Sequence, residues 1–377
     1  MIQLLAAFAA SFLLTMWVVH STDRHGHISR DHDVSGPQKF HARPVPRIGG
    51  LGIFVGSLAG VAALGLQDTQ HAELSVLLLG AAIPAFGAGF VEDLTKNMSP
   101  RRRLFFTALS AVLAALALDA IITRTGIPGL DWLLGISGVA LAITVFTVAG
   151  VANSVNLIDG FNGLASMCVV LMLVSLAYVA FQVGDPLIGA LALVGIGAVL
   201  GFFVWNFPAG LIFLGDGGAY FLGFWVAELS ILLIHRNPEV SPLFPLLVCI
   251  YPVFETLFSI YRRKLLRGVP VGMPDGAHLH SLIYRRFLRW AAGERTAKEL
   301  TRRNSMTSPY LWMLCMCAVI PATLWWHSTW IMGGFILLFA ATYLSLYWRI
   351  VRFKAPRMFK MRSTRPMLEK EQDHPER

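Results

Sequence analysis

Eleven long, mostly apolar runs recur along this chain, at about 2–20, 48–66, 74–91, 104–122, 130–151, 164–182, 187–205, 217–235, 243–261, 309–326 and 329–348. Roughly 20 such residues are what a helix needs to cross the hydrocarbon core of a bilayer. A spanning segment must satisfy its own backbone, which in a single run means an α-helix. The runs leave too little polar chain for soluble domains: apolar residues are 55% and charged residues 14% of the 377, against about 25% charged in soluble domains. The expected fold is all-α, a polytopic integral membrane protein with about eleven transmembrane helices. Residues 1–349 form one transmembrane domain, and 350–377 form a basic tail expected to be disordered.

The net charge of +9 does not require a nucleic-acid partner. Of 31 Lys and Arg residues, 29 fall in four segments, 21–47, 92–103, 262–307 and 349–377. These follow runs one, three, nine and eleven, so alternation puts them on one side. The positive-inside rule makes that side cytoplasmic, with the N-terminus outside and the C-terminus inside. Basic loops beside anionic headgroups account for the charge. The first run lacks the preceding Lys or Arg of a cleavable signal and is expected to stay. Cys168, Cys249, Cys315 and Cys317 all fall within runs and read as packing residues.

On the cytoplasmic side, the loops at 21–47, 92–103, 153–163, 206–217 and 263–308 carry every polar motif. The first ends 37-PQKFHARPVPRIGG-50, where Lys39, His41, Arg43 and Arg47 can meet a phosphate or simply lipid headgroups. In the second, Glu92 and Asp93 can bind a divalent cation or act as a base, or can be a solvated helix end. Arg101, Arg102 and Arg103 read as membrane-surface anchors.

The third, 153-NSVNLIDGFNGLAS-166, breaks a helix with Asn156, Asp159, Gly160 and Asn162 and holds no Lys or Arg. In the fourth, Asn206 and Pro208 precede 213-FLGDGG-218, a tight turn in which Asp216 offers a metal ligand at a helix start. Phe213 there can stack on a base or pack in the core. Glu255, inside run nine, is a functional candidate or a structural partner of Arg262. The fifth loop carries His278 and His280 in an extended stretch or turn. Residues 284–303, with Phe287, Leu288 and Trp290, suit an interfacial amphipathic helix. Carboxylates beside basic groups at a membrane surface suggest magnesium, a phosphorylated substrate and a lipid.

The motifs PRIGG, FVEDL, NxxNLIDGxNGLA, NFPxxxIFLGDGG and HLH occur in that order over about residues 37–286. In this the chain resembles the polyprenyl-phosphate N-acetylhexosamine-1-phosphate transferases, glycosyltransferase family 4. The two-histidine motif, in place of a contiguous triple His, brings it nearer the WecA-like branch, which initiates surface polysaccharides, than the peptidoglycan branch. The resemblance implies attack by undecaprenyl phosphate on the β-phosphorus of a UDP-N-acetylhexosamine, releasing UMP, with Mg²⁺ required and Mn²⁺ a substitute.

It also implies roles. Asp216, with Asp93 and Glu92, would hold the metal, and Asp93 would be the base or position the lipid phosphate. Asp159, Gly160 and Asn162 would hold the nucleoside, with Phe213 against the uracil. Asn156 and Asn206 would orient the site. His278 and His280 would engage the diphosphate or sugar, and Lys39, His41 and Arg43 would meet phosphate. The setting would be a bacterial inner membrane with the site facing the cytoplasm, and a homodimer is open. Three positions depart from the family pattern: Glu92 for Asp, Asn162 for Asp, and Ser281 for a third His.

Two readings compete. A secondary transporter would share the spans, but would bring repeated halves with broken helices at the midplane, and no repeat is present. A non-catalytic scaffold of polysaccharide assembly is kept open by Glu92.

Overall fold

The computed structural model describes residues 1–21, 45–266, 268, 276–287 and 297–352. Lys39, His41 and Arg43, the tail from residue 353 and the 288–296 part of the expected amphipathic helix, with Leu288 and Trp290, lie outside the described residues. All regular structure among the described residues is helical.

The helices are α1 (Ile2–His20), α2 (Gly49–Gln67), α3 (Thr69–Ala81), α4 (Ile83–Thr95), α5 (Pro100–Leu118), α6 (Pro128–Leu134), α7 (Ser137–Ile158) and α8 (Leu164–Gln182). They continue as α9 (Pro186–Asn206), α10 (Gly215–Arg236), α11 (Phe244–Val248), α12 (Ile250–Tyr261), α13 (Leu279–Leu282), α14 (Ala297–Leu324) and α15 (Thr329–Val351). Local chemistry sets several starts. Asp68 accepts from the backbone of Gln70 and His71 to open α3, and Ser99 and Asp185 do the same for α5 and α9, each followed by a proline at the first helical position.

Nine helices among the described residues are long and apolar enough to cross a membrane, counting α3 and α4 as one span from Thr69 to Thr95. Two of the eleven sequence runs are not among these nine spans. The run at 104–122 becomes α5, which opens with Arg101–Arg103 and stops at Leu118, where Asp119 turns left-handed with φ 53°. The run at 243–261 is cut at Cys249 into α11 and α12. Run five is also interrupted, and its long helix α7 carries on to Ile158, so Asn153 and Asn156 sit on its last turns rather than in a loop.

Helix α10 is the axis of the bundle, with every residue from Gly215 to Ile234 buried. Lipid tails are as apolar as leucine, so helices associate here by close packing rather than by escaping water. Small residues provide it. Gly197 and Gly201 of α9 face the backbone of α1 at Leu4 and Phe8, where any Cβ would collide. Gly89 of α4 does the same to the first turn of α10: a Cβ there would lie 2.5 Å from the Asp216 carbonyl carbon. That approach is what places α4's polar end against the start of α10. Cys168, Cys249 and Cys315 are buried and Cys317 is exposed, all four as free thiols.

Candidate active site

The start of α10 is built by three motifs distant in sequence. The PRIGG and FLGDGG segments are knitted by backbone hydrogen bonds: Phe213 N–H donates to Pro46 O (2.8 Å), Gly49 N–H to Phe213 O (3.0 Å) and Gly50 N–H to Leu214 O (2.9 Å). Gly215 follows with φ +76°, crowded by Arg47 O and the Asp93 carboxylate, a place only glycine can occupy. The orphan N–H groups of the first turn are then met from α4. Asp93 accepts from Asp216 N–H at Oδ1 (2.8 Å) and from Gly217 N–H at Oδ2 (2.9 Å). Asp93 is 4% exposed and both its carboxylate oxygens are engaged.

Asp216 sits beyond that cap, facing a cavity. Its carboxylate pairs with Arg103, lies 3.7 Å from Arg47 Nη2, and accepts from Asn156 Nδ2 at 3.0 Å. Arg103 also lies over the Tyr220 ring at 5.9 Å, and Tyr220 O–H donates to Asn153 Oδ1 at 3.1 Å. Asp159, at the C-terminal end of α7, is pushed up to about 7 by burial, against the pull of the Arg47 guanidinium and the Gly215 N–H.

Asn162 and Asn206 hold the loop in place. Asn206 accepts from Gly163 N–H (2.6 Å) and donates to Ile212 O (2.7 Å), so one side chain ties the 160s loop to the segment before α10. Asn162 donates to Ser305 Oγ (3.2 Å) and its N–H to Asn304 Oδ1 (2.8 Å), while Ser308 and Trp312 of α14 donate to the carbonyls of Asn162 and Gly163.

The two histidines bracket the start of a short helix, His278 with extended backbone just before it. His278 precedes α13 and His280 is inside it, both buried, with rings stacked at 5.2 Å and 15°. His280 meets Phe161 edge-on at 5.5 Å. Glu255 takes His278 as its partner, Nδ1 to Oε1 at 3.0 Å, whereas Arg262 donates to Ala277 O and Tyr347 Oη.

Arg47, Arg103, Asn156, Asp159, Gly160, Asn162, Asn206, Phe213, Asp216, His278 and His280 all line one cavity of about 1200 Å³. Away from this polar end its walls are apolar: Ile143 and Phe146 of α7, Ile231 of α10, Leu257 and Ile260 of α12, as far as Arg124 and Leu243 beyond the opposite ends of α7 and α10. Asp93 stands one layer behind, through its bonds to Asp216 and Gly217. Glu92 accepts from Met98 N–H (2.6 Å) and shapes the turn after α4.

The donor set bears on a metal. Among the described residues, no three His, Cys, Asp or Glu side chains make a metal cage. Mg²⁺ does not need one, since it takes one or two carboxylates and completes its shell with water and substrate phosphates. Asp216 and Asp159, which both line the cavity, fit that requirement.

The sequence reading gives Arg103 as a membrane-surface anchor and does not single out Tyr220, yet both stand at this site. A signal for Arg103 was present: an arginine in the first turn of a helix opposes the macrodipole and calls for a compensating carboxylate.

A family model described as "Glycosyl transferase family 4" matches residues 74–234. A Bacillus subtilis (strain 168) protein named "Probable undecaprenyl-phosphate N-acetylglucosaminyl 1-phosphate transferase" is 31% identical over 281 residues, 74% of this chain and 77% of its own length. The chain belongs to glycosyl transferase family 4. A Pasteurella multocida (strain Pm70) member, "Undecaprenyl-phosphate alpha-N-acetylglucosaminyl 1-phosphate transferase", is 27% identical over 94% of this chain and 96% of its own. A Clostridium botulinum "Phospho-N-acetylmuramoyl-pentapeptide-transferase" is 30% identical over 60% and 69%. The family match runs from α3 to α10, and so contains Asp93, Arg103, Asn156, Asp159 and Asp216 of the cavity and its cap.

Proposed function

We propose that this family 4 member transfers N-acetylhexosamine 1-phosphate from a UDP-sugar to undecaprenyl phosphate. An oxygen of the lipid phosphate bonds to the β-phosphorus of the UDP-sugar. The bond from that phosphorus to the bridging oxygen breaks, and UMP leaves with the electron pair. N-acetylglucosamine is the sugar favoured, because relatives carry that name.

One observation carries the reading: a single cavity joins an ionic end to long apolar walls. A lipid phosphate needs that combination, with its tail along α7 and α12 while its head reaches Arg47, Arg103 and the histidines. The lipid phosphate is largely a dianion at pH 7, so the nucleophile needs little deprotonation. The larger task is bringing two anions together, and the arginines and histidines reduce that repulsion.

Asp216 and Asp159 would hold Mg²⁺, with Mn²⁺ as a substitute; bound there, the ion would neutralise diphosphate charge. Asp93 then serves by holding the start of α10, and Glu92 by shaping the adjoining turn. Phe213 and Gly160 line the nucleoside side. The cavity's ionic end faces the cytoplasm of a bacterial plasma membrane, on the argument of the Lys and Arg distribution, and the product starts a surface polysaccharide. Purified protein incubated with undecaprenyl phosphate, Mg²⁺ and a panel of UDP-sugars should release UMP with UDP-N-acetylhexosamines. Release of UMP from none of them refutes the proposal.

A further inference from the structure

The reaction above uses His278 but does not account for the carboxylate buried behind it. Glu255 is 0% exposed, on α12 within an apolar run. A charge at such a depth is costly unless it is partnered. Glu255 has three donors. Oε1 accepts from His278 Nδ1 (3.0 Å) and Leu279 N–H (3.2 Å), and Oε2 accepts from Tyr343 O–H (2.6 Å). The Leu279 N–H and the Tyr343 O–H make the carboxylate the acceptor, so His278 carries its proton on Nδ1. Nε2 is then the ring nitrogen left for the cavity that His278 lines.

Tyr343 is itself fixed. It is 0% exposed on α15, with the rings of Phe254 and Phe258 edge-on at 5.0 and 5.6 Å. Three elements far apart in sequence, α12, α13 and α15, therefore converge on one imidazole. Hydrogen bonds of this kind behind a working histidine set its tautomer and orientation.

We propose that Glu255 and Tyr343 are positioning residues, which together hold His278 with its proton on Nδ1 and its Nε2 presented to the diphosphate. This rests on the transferase reading, because it needs His278 beside the substrate. The carboxylate acts through the imidazole alone, so its removal should slow turnover and spare nucleotide binding.

The test measures single-turnover UMP release, the UDP-sugar KM and the melting temperature for Glu255→Gln, Tyr343→Phe, His278→Gln and the Glu255→Gln/His278→Gln double variant. Gln keeps the shape and an acceptor oxygen but removes the charge. Glu255→Gln should lower the rate about 30-fold, within the range of losses from such outer partners, and Tyr343→Phe about 5-fold, the loss of one hydrogen bond. KM should change less than about 3-fold, and the double variant should be no slower than His278→Gln alone, because residues acting as one unit are not additive. A wild-type rate in Glu255→Gln, or multiplied losses in the double variant, overturns the inference. If Glu255→Gln does not fold, Tyr343→Phe decides, and a wild-type rate there overturns it as well. Absence of UMP release from wild-type protein refutes the transferase reading and this inference with it, whereas an active wild type with an unaffected Glu255→Gln refutes the inference alone.

Discussion

Asp93→Asn separates a residue that builds the site from one that touches substrate. In the native protein both Asp93 oxygens accept backbone N–H groups from the first turn of α10, at 2.8 and 2.9 Å, with 4% exposure. Asparagine keeps one acceptor. Its amide N–H₂ faces the Gly217 N–H donor to donor, so one bond is lost and a buried N–H is left unsatisfied. Hydrogen bonds to charged groups are worth about 1.5–3 kcal/mol, and the lost negative charge at a helix N-terminus adds roughly 0.3–1 kcal/mol. The sum, about 2–4 kcal/mol, falls on the backbone that carries Asp216, and at 1.36 kcal/mol per tenfold it corresponds to a turnover loss of roughly 30- to 800-fold. Glu92→Gln removes only a half-exposed carboxylate that accepts from Met98 N–H, an interaction worth at most about 1 kcal/mol here, or roughly 5-fold. UMP release by both variants, with Mg²⁺ titrated, is the assay. Equal losses, each restored by raising Mg²⁺, would mean that the two carboxylates are interchangeable metal ligands and would refute the capping argument.

Asp216→Asn should abolish turnover while leaving the melting temperature near wild type, and should remove the mutual tightening of Mg²⁺ and UDP-sugar measured by nucleotide binding; near-normal turnover would refute the metal assignment. Gly89→Ala should cost about 1–3 kcal/mol of stability and most activity, because its Cβ would meet the Asp216 backbone at 2.5 Å, whereas Gly87→Ala, with nothing within 4 Å, should leave melting temperature and activity unchanged or slightly raised. The orientation is checked by impermeant thiol labelling of intact cells in a Cys317→Ser background: a cysteine at Asn97, on the exposed turn after α4, should stay unlabelled, and one at Gly129, where a Cβ meets nothing within 4 Å, should label. The opposite pattern would reverse the orientation.

Hydropathy and charge are properties of neighbours along the chain, and what depends on them could be read from the sequence alone. That covers the all-helical membrane fold and the clustering of Lys and Arg in four segments. The motif order was equally legible, and nine of the eleven predicted site residues within the described chain meet at one cavity: Asn156, Asp159, Gly160, Asn162, Asn206, Phe213, Asp216, His278 and His280. The sequence did not reveal which polar group each of them uses. Asp93 bonds the backbone 123 residues further on, Asn156 meets Asp216 across 60, and Glu255 reaches Tyr343 across 88. At those separations the acidic pair reads as metal ligands, with Asp93 also a base or a phosphate-positioning group, and three successive arginines read as surface anchors. Only the close approach of α4 to α10 at Gly89 makes Asp93 a cap, and only the packing of α5 beside α10 puts Arg103 on Asp216. The physical reason is that a buried polar group must find a partner, and which partner lies within 3 Å is decided by how the helices pack.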